Sequence, residues 1–348
     1  MNASIWQSTL LVVAFSIAGT ANARVANAAN HVDTTAREPA IRVTLLGTGR
    51  PEPVIDRFGP STLIEAGGET LLIDCGRGAT QRLWQLGIPL SRVSATFITH
   101  LHSDHTVGLP DLWLTGWLPT AFGRRAAPLR VFGPTGTLAM TNALTIAFAW
   151  DIDRRGRGEG LPPAGIAFDT HDVQPGVVFE RHGLRVTAFA VDHGGLLEPA
   201  YGYRVDFHGR SVVVSGDTRP SENLVRVAEG TDVLVHEVIA APIALLERSE
   251  TARRIAAFHT APEEAGRIFT RVRPRLAVYS HVVLLTTDPA YPAPKAGELV
   301  PRTRTTYDGP VQVGEDLMEI EIGSEIKVCR RASNDDRNEP PQCPARPN

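Results

Sequence analysis

The sequence is poor in the features that mark several large classes of protein. Three cysteines in 348 residues provide no disulfide framework of the kind that holds small secreted domains together. The net charge of −3 gives no overall attraction to nucleic acid or to an anionic membrane. No internal apolar run is long enough to span a bilayer. A hydrophobic content of 43% instead predicts a globular core, in one large domain or two smaller ones.

The N-terminal end differs from the rest of the chain. Residues 1–23 carry no charged side chain and contain a short apolar run, Leu10–Ala18, followed by the small-x-small cleavage pattern Ala21-Asn22-Ala23. We therefore predict that residues 1–28 are a signal peptide with a short leader, and that the protein is periplasmic or secreted. An uncleaved anchor is the alternative; once the signal is removed, we expect no transmembrane span.

The C-terminal end is polar and rich in proline, asparagine and arginine. This composition predicts a disordered tail over residues 331–348. Cys329 and Cys343 flank much of this tail, and in an exported protein they could pair. Two free thiols are the alternative. Residues 29–330 then form the one folded domain.

Short apolar runs alternate with single helical segments and hairpins, which predicts a mixed-sheet α/β sandwich. Residues 151–177 are rich in glycine, proline and arginine without clear periodicity, so we predict an irregular insertion near the site. Thr260-Ala261-Pro262-Glu263 has the form of a capping box at the start of a helix. Predicted strands lie at 41–46, 61–65, 70–74, 93–98, 129–132, 184–191, 201–207, 211–214, 233–235 and 276–280, and predicted helices at 79–86 and 111–117.

Polar clusters follow five of the predicted strands. The densest of them places three imidazoles and one carboxylate within six residues, at His100, His102, Asp104 and His105. Such a cluster is hard to explain by packing, and imidazole and carboxylate are the ligands that zinc prefers. The other clusters contain His193, Asp217, His236-Glu237 and His281.

The spacing within the dense cluster favours two cations. His100 and His102 are two residues apart and can reach one ion, whereas Asp104 and His105 lie on the following turn and point elsewhere. If Asp217 bridges, each of two zinc ions receives four protein ligands. We predict seven metal ligands: His100, His102, Asp104, His105, His193, Asp217 and His281.

Individually, several of these residues have simpler explanations. His193 or His281 alone could be a hydrogen-bonded surface residue, Asp217 could make a turn, and Asp104 could cap a helix. The prediction of a metal site therefore rests on the seven residues taken together. Two cations would supply a shared hydroxide as the nucleophile, which Asp104 could orient while it binds metal.

The motifs together resemble the metallo-β-lactamase superfamily, and within it the branch of ribonuclease Z and its arylsulfatase-like relatives. The resemblance covers most of residues 41–285 in the same order. It is carried by Leu46-Gly47-Thr48-Gly49, Asp74-Cys75-Gly76, the 99–106 cluster, Asp192-His193-Gly194, Tyr201-Gly202-Tyr203-Arg204, Ser215-Gly216-Asp217-Thr218, His236-Glu237, His259-Thr260 and Ser280-His281.

This resemblance implies an αββα sandwich with two zinc ions (Zn²⁺) at one edge, formed by residues 29–330. It also implies that one zinc is held by His100, His102 and His193 and the other by Asp104, His105 and His281, with Asp217 on both. In related enzymes, a pair like His259 and Glu237 donates a proton to the leaving group or stabilises an oxyanion. The alternative for His259 is a helix-start neighbour without a chemical role.

Two differences from the family guide the choice of function. Lactam-hydrolysing members commonly have cysteine at the position of Asp217, which argues against an antibiotic hydrolase. Typical ribonuclease Z has a long basic arm where only Val205–Arg210 occur here, which argues against nucleic acid as a partner. Our first hypothesis is an exported, arylsulfatase-like zinc hydrolase of small anionic sulfate or phosphate esters. A ribonuclease Z-type phosphodiesterase and a non-catalytic metal-binding module are the alternatives, and a homodimer remains open.

Overall fold

A computed structural model describes residues 40–330 of the chain. Fifteen strands lie within these residues. They are β1 (Ile41–Gly47), β2 (Ser61–Ala66), β3 (Glu69–Ile73), β4 (Ala95–Phe97), β5 (Leu129–Gly133), β6 (Phe168–Asp172), β7 (Gly176–Arg181), β8 (Leu184–Val191), β9 (Ala200–Phe207), β10 (Arg210–Val214), β11 (Val233–Ala240), β12 (Leu276–Leu284), β13 (Val311–Val313), β14 (Met318–Ile322) and β15 (Ile326–Arg330).

Eleven α-helices connect the strands of this described part. They are α1 (Ala79–Gln85), α2 (Ser103–Thr106), α3 (Leu109–Trp117), α4 (Thr137–Ala147), α5 (Ala149–Glu159), α6 (Pro163–Ile166), α7 (Glu222–Ala228), α8 (Ile243–Arg248), α9 (Glu250–Ala256), α10 (Pro262–Val272) and α11 (Leu299–Thr303), and two 3₁₀ turns lie at Leu90–Arg92 and Ala296–Glu298. None of the described helices is both long and apolar enough to cross a membrane.

The strands form two mixed sheets. The eight-stranded sheet has the order β15-β14-β1-β2-β3-β4-β5-β6, and the seven-stranded sheet has the order β13-β12-β11-β10-β9-β8-β7. In the first sheet β3, β4, β5 and β6 run parallel, and in the second β10, β11, β12 and β13 run parallel. Parallel strands carry their carboxyl ends to one edge of a sheet, so the loops that follow β4, β10 and β11 lie at one end of the fold.

The main apolar core lies between the two sheets. Val43 and Phe97 of the first sheet and Tyr203 and Val235 of the second are all buried in this layer. Two further clusters fill the outer faces, where α1 and α3 cover the first sheet and α7 and α10 cover the second. The result is the predicted αββα sandwich, because each sheet buries one face against the other and one against helices.

The prediction of an irregular insertion over residues 151–177 was wrong. The segment contains most of α5, all of α6 and β6, and the start of β7. Side chains one turn apart stabilise α5 despite its glycines: Arg155 pairs with Asp151 at 2.9 Å, and Arg157 pairs with Asp153. The i,i+4 spacing of opposite charges favours a helix here, although the glycine and proline content of the segment does not.

The capping-box prediction at Thr260 was also wrong, although a helix does follow. Ala261 is the N-cap of α10, with no side-chain cap. The Thr260 hydroxyl instead donates to the Thr218 carbonyl oxygen at 2.6 Å, and the Thr260 N–H donates to Glu237 Oε1 at 2.8 Å. Thr260 therefore anchors the start of α10 to Thr218 and Glu237, and its side chain does not cap the helix.

Cys75 is buried and free, as its position after β3 predicts. The signal peptide, the cleavage pattern, the polar tail and Cys343 lie outside the described residues, so these predictions, the Cys329–Cys343 pairing and the proposed domain boundaries remain predictions.

We expect Phe97→Ala to destabilise the fold by about 3–5 kcal/mol, because it opens a cavity in the layer between the sheets. The Phe97 ring lies 5.1 Å from Phe132, 5.8 Å from Phe179 and 5.5 Å from Tyr203, measured between ring centroids. Urea denaturation monitored by circular dichroism measures the loss. Ile146→Ala, on a side chain that is 78% exposed, is the control and changes stability by less than about 0.5 kcal/mol. Equal losses would contradict this account of the core.

Candidate metal centre

Loops from both sheets bring the seven predicted ligands together. His100 follows β4, and His102, Asp104 and His105 lie at the start of α2 or within it. From the second sheet, His193 follows β8, Asp217 follows β10, and His281 lies within β12. Except for the more exposed His102, all of them are at most 4% exposed.

His281 reaches the site through an irregularity in its strand. The register of β11 against β12 shifts after His236, and His281 has a backbone φ of +42°. The N–H of the next residue, Val282, donates to the Thr48 carbonyl oxygen of the facing sheet at 2.8 Å. A bulge of this kind re-aims a side chain, and here it turns the imidazole toward Asp104 and Asp217.

One group of potential ligands consists of His100, His102, His193 and Asp217, whose donor atoms lie within 4.8 Å of one another. His100 Nε2 lies 3.0 Å from His102 Nδ1. Asp217 Oδ2 lies 3.8 Å from His100 Nε2 and 3.9 Å from His193 Nε2. Three imidazoles and one carboxylate oxygen therefore enclose a single point.

A second group consists of Asp104, His105 and His281. His281 Nε2 lies 3.2 Å from Asp104 Oδ2 and 3.4 Å from Asp217 Oδ2. His105 Nε2 lies 3.5 Å from Asp104 Oδ2 and 3.4 Å from Asp217 Oδ1. Asp217 thus presents one oxygen to imidazoles of both groups and its other oxygen to His105.

These separations fit a bound divalent cation. Four ligands placed 2.0–2.2 Å from zinc in a tetrahedron are about 3.4 Å apart, close to the distances observed in both groups. His105 Nε2, His193 Nε2 and Asp217 Oδ1 are buried and have no hydrogen-bond partner in the protein. Buried polar atoms without partners are costly unless an ion or water satisfies them, so the donor set itself indicates metal binding.

Burial gives three of the imidazoles the protonation state of metal ligands. Burial, aided by the charge of His105, holds the pKa of His100 well below its usual range, and burial also lowers the pKa values of His102 and His193. Burial opposes ionisation of Asp217, but the charges of His281 and His105 outweigh it and hold its pKa well below the ordinary value. His105 differs: burial lowers its pKa, but Asp217 and Asp74 outweigh burial and raise it well above the usual range, so His105 must release a proton to bind a cation.

Neighbouring groups orient the imidazoles. Asp74 Oδ2 lies 2.7 Å from His105 Nδ1, and the same carboxylate accepts from the Thr99 N–H and hydroxyl at 2.8 and 2.9 Å. The Phe258 carbonyl oxygen lies 3.0 Å from His193 Nδ1. Contacts of this kind fix the ring and leave Nε2 for the metal. Sequence reasoning missed Phe258, because a backbone carbonyl gives no side-chain signal.

The predicted pair of Glu237 and His259 also lies at the centre. Glu237 Oε2 is 3.3 Å from His259 Nδ1, while Oε1 accepts from the Thr260 N–H. The His259 ring centroid is 5.3 Å from that of His193 and 5.7 Å from that of His281. Burial lowers the pKa of His259, but Glu237 outweighs this effect and raises it to about 9. The neighbouring His236 is fully buried and stacks edge-on against Phe269, outside the ligand groups.

A sandwich of two mixed sheets with imidazoles and carboxylates converging at one edge defines a metal-dependent hydrolase that acts on ester bonds. Residues 69–282 match the family model described as Beta-lactamase superfamily domain, and the chain belongs to the metallo-β-lactamase superfamily.

Two curated relatives show the same membership over most of the chain. A protein named Ribonuclease Z from Mycobacterium marinum is 36% identical over 282 residues, which cover 81% of this chain and 99% of the relative. A second, also named Ribonuclease Z, from Mycolicibacterium gilvum, is 34% identical and covers 81% of this chain and 96% of the relative.

Solved structures share the fold. The metallo-beta-lactamase fold protein YhfI from Bacillus subtilis superposes with a TM-score of 0.62 at 17% identity, over 81% of this chain and 99% of that one. The short form of human tRNase Z superposes with a TM-score of 0.60 at 22% identity, with the same coverage. The predicted fold class and superfamily are therefore confirmed. The zinc identity, the number of ions and the individual ligand roles stay predictions.

We expect Asp217→Ala to lose at least one equivalent of bound zinc and to lower ester hydrolysis by at least about 100-fold, because Asp217 alone faces ligands of both groups. Metal content after equilibrium dialysis and steady-state kinetics measure the two effects. Asp153→Ala, which removes an exposed carboxylate on α5, is the matched control and retains full metal content. Unchanged zinc in the Asp217 variant would contradict the assignment.

Proposed function

We propose that this protein is a two-cation phosphodiesterase of the ribonuclease Z type, with RNA as its substrate class. The observation that carries the proposal is the pair of ligand groups meeting at Asp217, in a chain that aligns with 99% of a protein named Ribonuclease Z. We further propose that the ions are zinc, two per chain, because imidazole and carboxylate are typical zinc ligands.

These relatives also bear on the expectation that nucleic acid is not a partner. That expectation rested on the missing arm, and β9 and β10 are indeed joined by a tight turn at His208 and Gly209. Yet this chain aligns with 99% of the M. marinum relative at 36% identity, and that relative is named Ribonuclease Z. We give this similarity more weight than the short turn. The sulfate-ester hypothesis has no comparable support.

When bound, two divalent cations lower the pKa of water and draw in an anionic phosphate. The residues of the chain place and assist that chemistry. Carboxylate oxygens of Asp104 and Asp217 lie 3.2–3.5 Å from the Nε2 atoms of His105 and His281. Fixed groups of this kind need no reorganisation as charge develops.

His259 is the group that can supply a proton to the leaving oxygen. Glu237 holds its Nδ1, so Nε2 is the nitrogen left free for substrate. The His259 side chain is largely buried but keeps 11% of its surface exposed, and it lies beside ligands of both groups. Glu237 is a positioning residue, fixed by the Thr260 and Thr218 N–H groups at 2.8 and 3.4 Å.

Export to the periplasm or beyond remains a separate proposal, supported by the pattern of residues 1–28 alone. N-terminal sequencing of the mature protein tests it: a chain that still begins at Met1 would oppose cleavage.

Among substrates, we expect the zinc-loaded enzyme to hydrolyse bis-aryl phosphodiesters and a 3′-extended precursor tRNA, and to act on aryl sulfates at least 100-fold more slowly. The reason is that the proposed function makes phosphodiesters, rather than sulfate esters, the substrate class of this centre. Initial rates on the panel, which also includes a lactone and a lactam, measure it. Faster turnover of aryl sulfate would restore the sulfatase hypothesis, and bound zinc without turnover of any substrate would favour the non-catalytic module.

Removing the proposed proton donor has an effect that depends on the leaving group. We expect His259→Gln to lower kcat by about 10²–10⁴-fold on RNA, whose alkoxide leaving group needs a proton. The loss on bis(p-nitrophenyl) phosphate is expected to be at least tenfold smaller, since nitrophenolate leaves unprotonated.

The control for this prediction is His171→Gln, the same substitution on an exposed side chain away from the centre. Glu237→Gln is expected to reproduce the leaving-group dependence in weaker form, because it releases the imidazole without removing it. Equal losses on both substrates would assign His259 a structural role.

A further inference from the structure

A third group of potential ligands lies at the centre and is not used by the two-cation assignment. The donor atoms of Asp217, His259 and His281 lie within 4.8 Å of one another. Two of the three residues, Asp217 and His281, already face Asp104 and His105. His259 is therefore the only additional member, and it approaches the ligand set from the side of α9 and α10.

His259 has a carboxylate beside one ring nitrogen, as His105 of the ligand set does. Glu237 Oε2 lies 3.3 Å from His259 Nδ1 as a charge contact without a hydrogen bond, whereas Asp74 Oδ2 lies 2.7 Å from His105 Nδ1 and is hydrogen-bonded to it. In both cases the second nitrogen, Nε2, is left free. A carboxylate at one ring nitrogen fixes the tautomer and raises the basicity of the other, which is the arrangement that metal-binding histidines use.

The geometry makes this group an alternative to the second group rather than an extra site. His281 Nε2 is 3.2 Å from Asp104 Oδ2 and 3.4 Å from Asp217 Oδ2, and one imidazole nitrogen has one lone pair. A cation that uses this nitrogen can therefore complete its shell with Asp104 and His105 or with His259. The donor nitrogens of His259 and His281 lie within 4.8 Å of each other and of an Asp217 oxygen, so both can reach one ion.

We propose that Asp217, His259 and His281 form an alternative position for the second cation, with His259 as a reserve ligand. The position beside Asp104 and His105 offers four protein ligands when Asp217 is counted, and the alternative offers three. The first is therefore preferred. It keeps only two protein ligands when neither Asp104 nor His105 can bind, and the alternative then fills.

One consequence rests on the proposed function. The Nε2 lone pair that binds a cation is the same one that carries the proton for the leaving oxygen. An enzyme with its second cation at His259 lacks its proton donor, so metal capture and proton transfer by His259 exclude each other.

Zinc content and Co²⁺ absorption test the proposal without any substrate. We expect two zinc equivalents in the wild type and in Asp104→Asn/His105→Gln, with the second bound at least tenfold more weakly in the variant. Adding His259→Gln to that double variant is expected to leave one. The matched control adds His171→Gln instead, the same change at an exposed histidine, and holds two. Co²⁺ bound to Asp104→Asn/His105→Gln is expected to show a visible spectrum that the His259→Gln change abolishes for the second equivalent.

Asp104→Ser/His105→Gln provides a second background in case the first double variant does not fold, which circular dichroism reports. Identical metal content in the two triple variants would overturn the proposal, as would a single equivalent in both double variants. Those outcomes leave the two-cation centre of the wild type intact. A wild type that holds fewer than two equivalents would overturn this proposal together with the two-cation centre, whereas failure on RNA alone would overturn only the proposed function.

Discussion

The site depends on one buried carboxylate. Asp217 is 3% exposed, and its Oδ1 has no hydrogen-bond partner in the protein. An ionised carboxylate in such surroundings is costly unless opposite charge lies close by. Imidazoles of both ligand groups approach it to 3.4–3.9 Å, and each is itself buried or oriented by a neighbour. Positive charge beside Asp217 therefore stabilises the site, and the remaining ligands are arranged around this carboxylate.

Packing between the sheets sets the distances at the centre. His100 and His105 come from the first sheet, whereas Asp217 and His281 come from the second. Hydrogen bonds tie the two sheets together beside these loops: the Tyr201 N–H donates to the Thr99 carbonyl oxygen at 2.9 Å, and the Tyr203 hydroxyl donates to the Ile98 carbonyl oxygen at 2.8 Å. Close packing transmits displacement, so a shift of one sheet would separate ligands of the same ion.

The sequence predicts the ligand set and most of the strands, because each has a local signal. Strand β8 matches its prediction residue for residue, β1 and β2 differ from theirs by one residue at one end, and β3 is shifted by one residue. Features that depend on distant partners were not predictable. The positive φ of His281 depends on the register between β11 and β12, and the support of His193 comes from a backbone carbonyl 65 residues away.

Charge distribution bears on how an RNA substrate would be held. Arg155 and Arg157 of α5 pair with carboxylates of the same helix, which offset their charges. No arm extends between β9 and β10, and the chain has a net charge of −3.

Most nucleic-acid-binding proteins gain affinity from many phosphate contacts with basic side chains. Without an arm between β9 and β10, and with these two arginines already paired, attraction to the scissile phosphate would depend more strongly on cations bound at Asp217. Binding and catalysis would then share the same seven side chains.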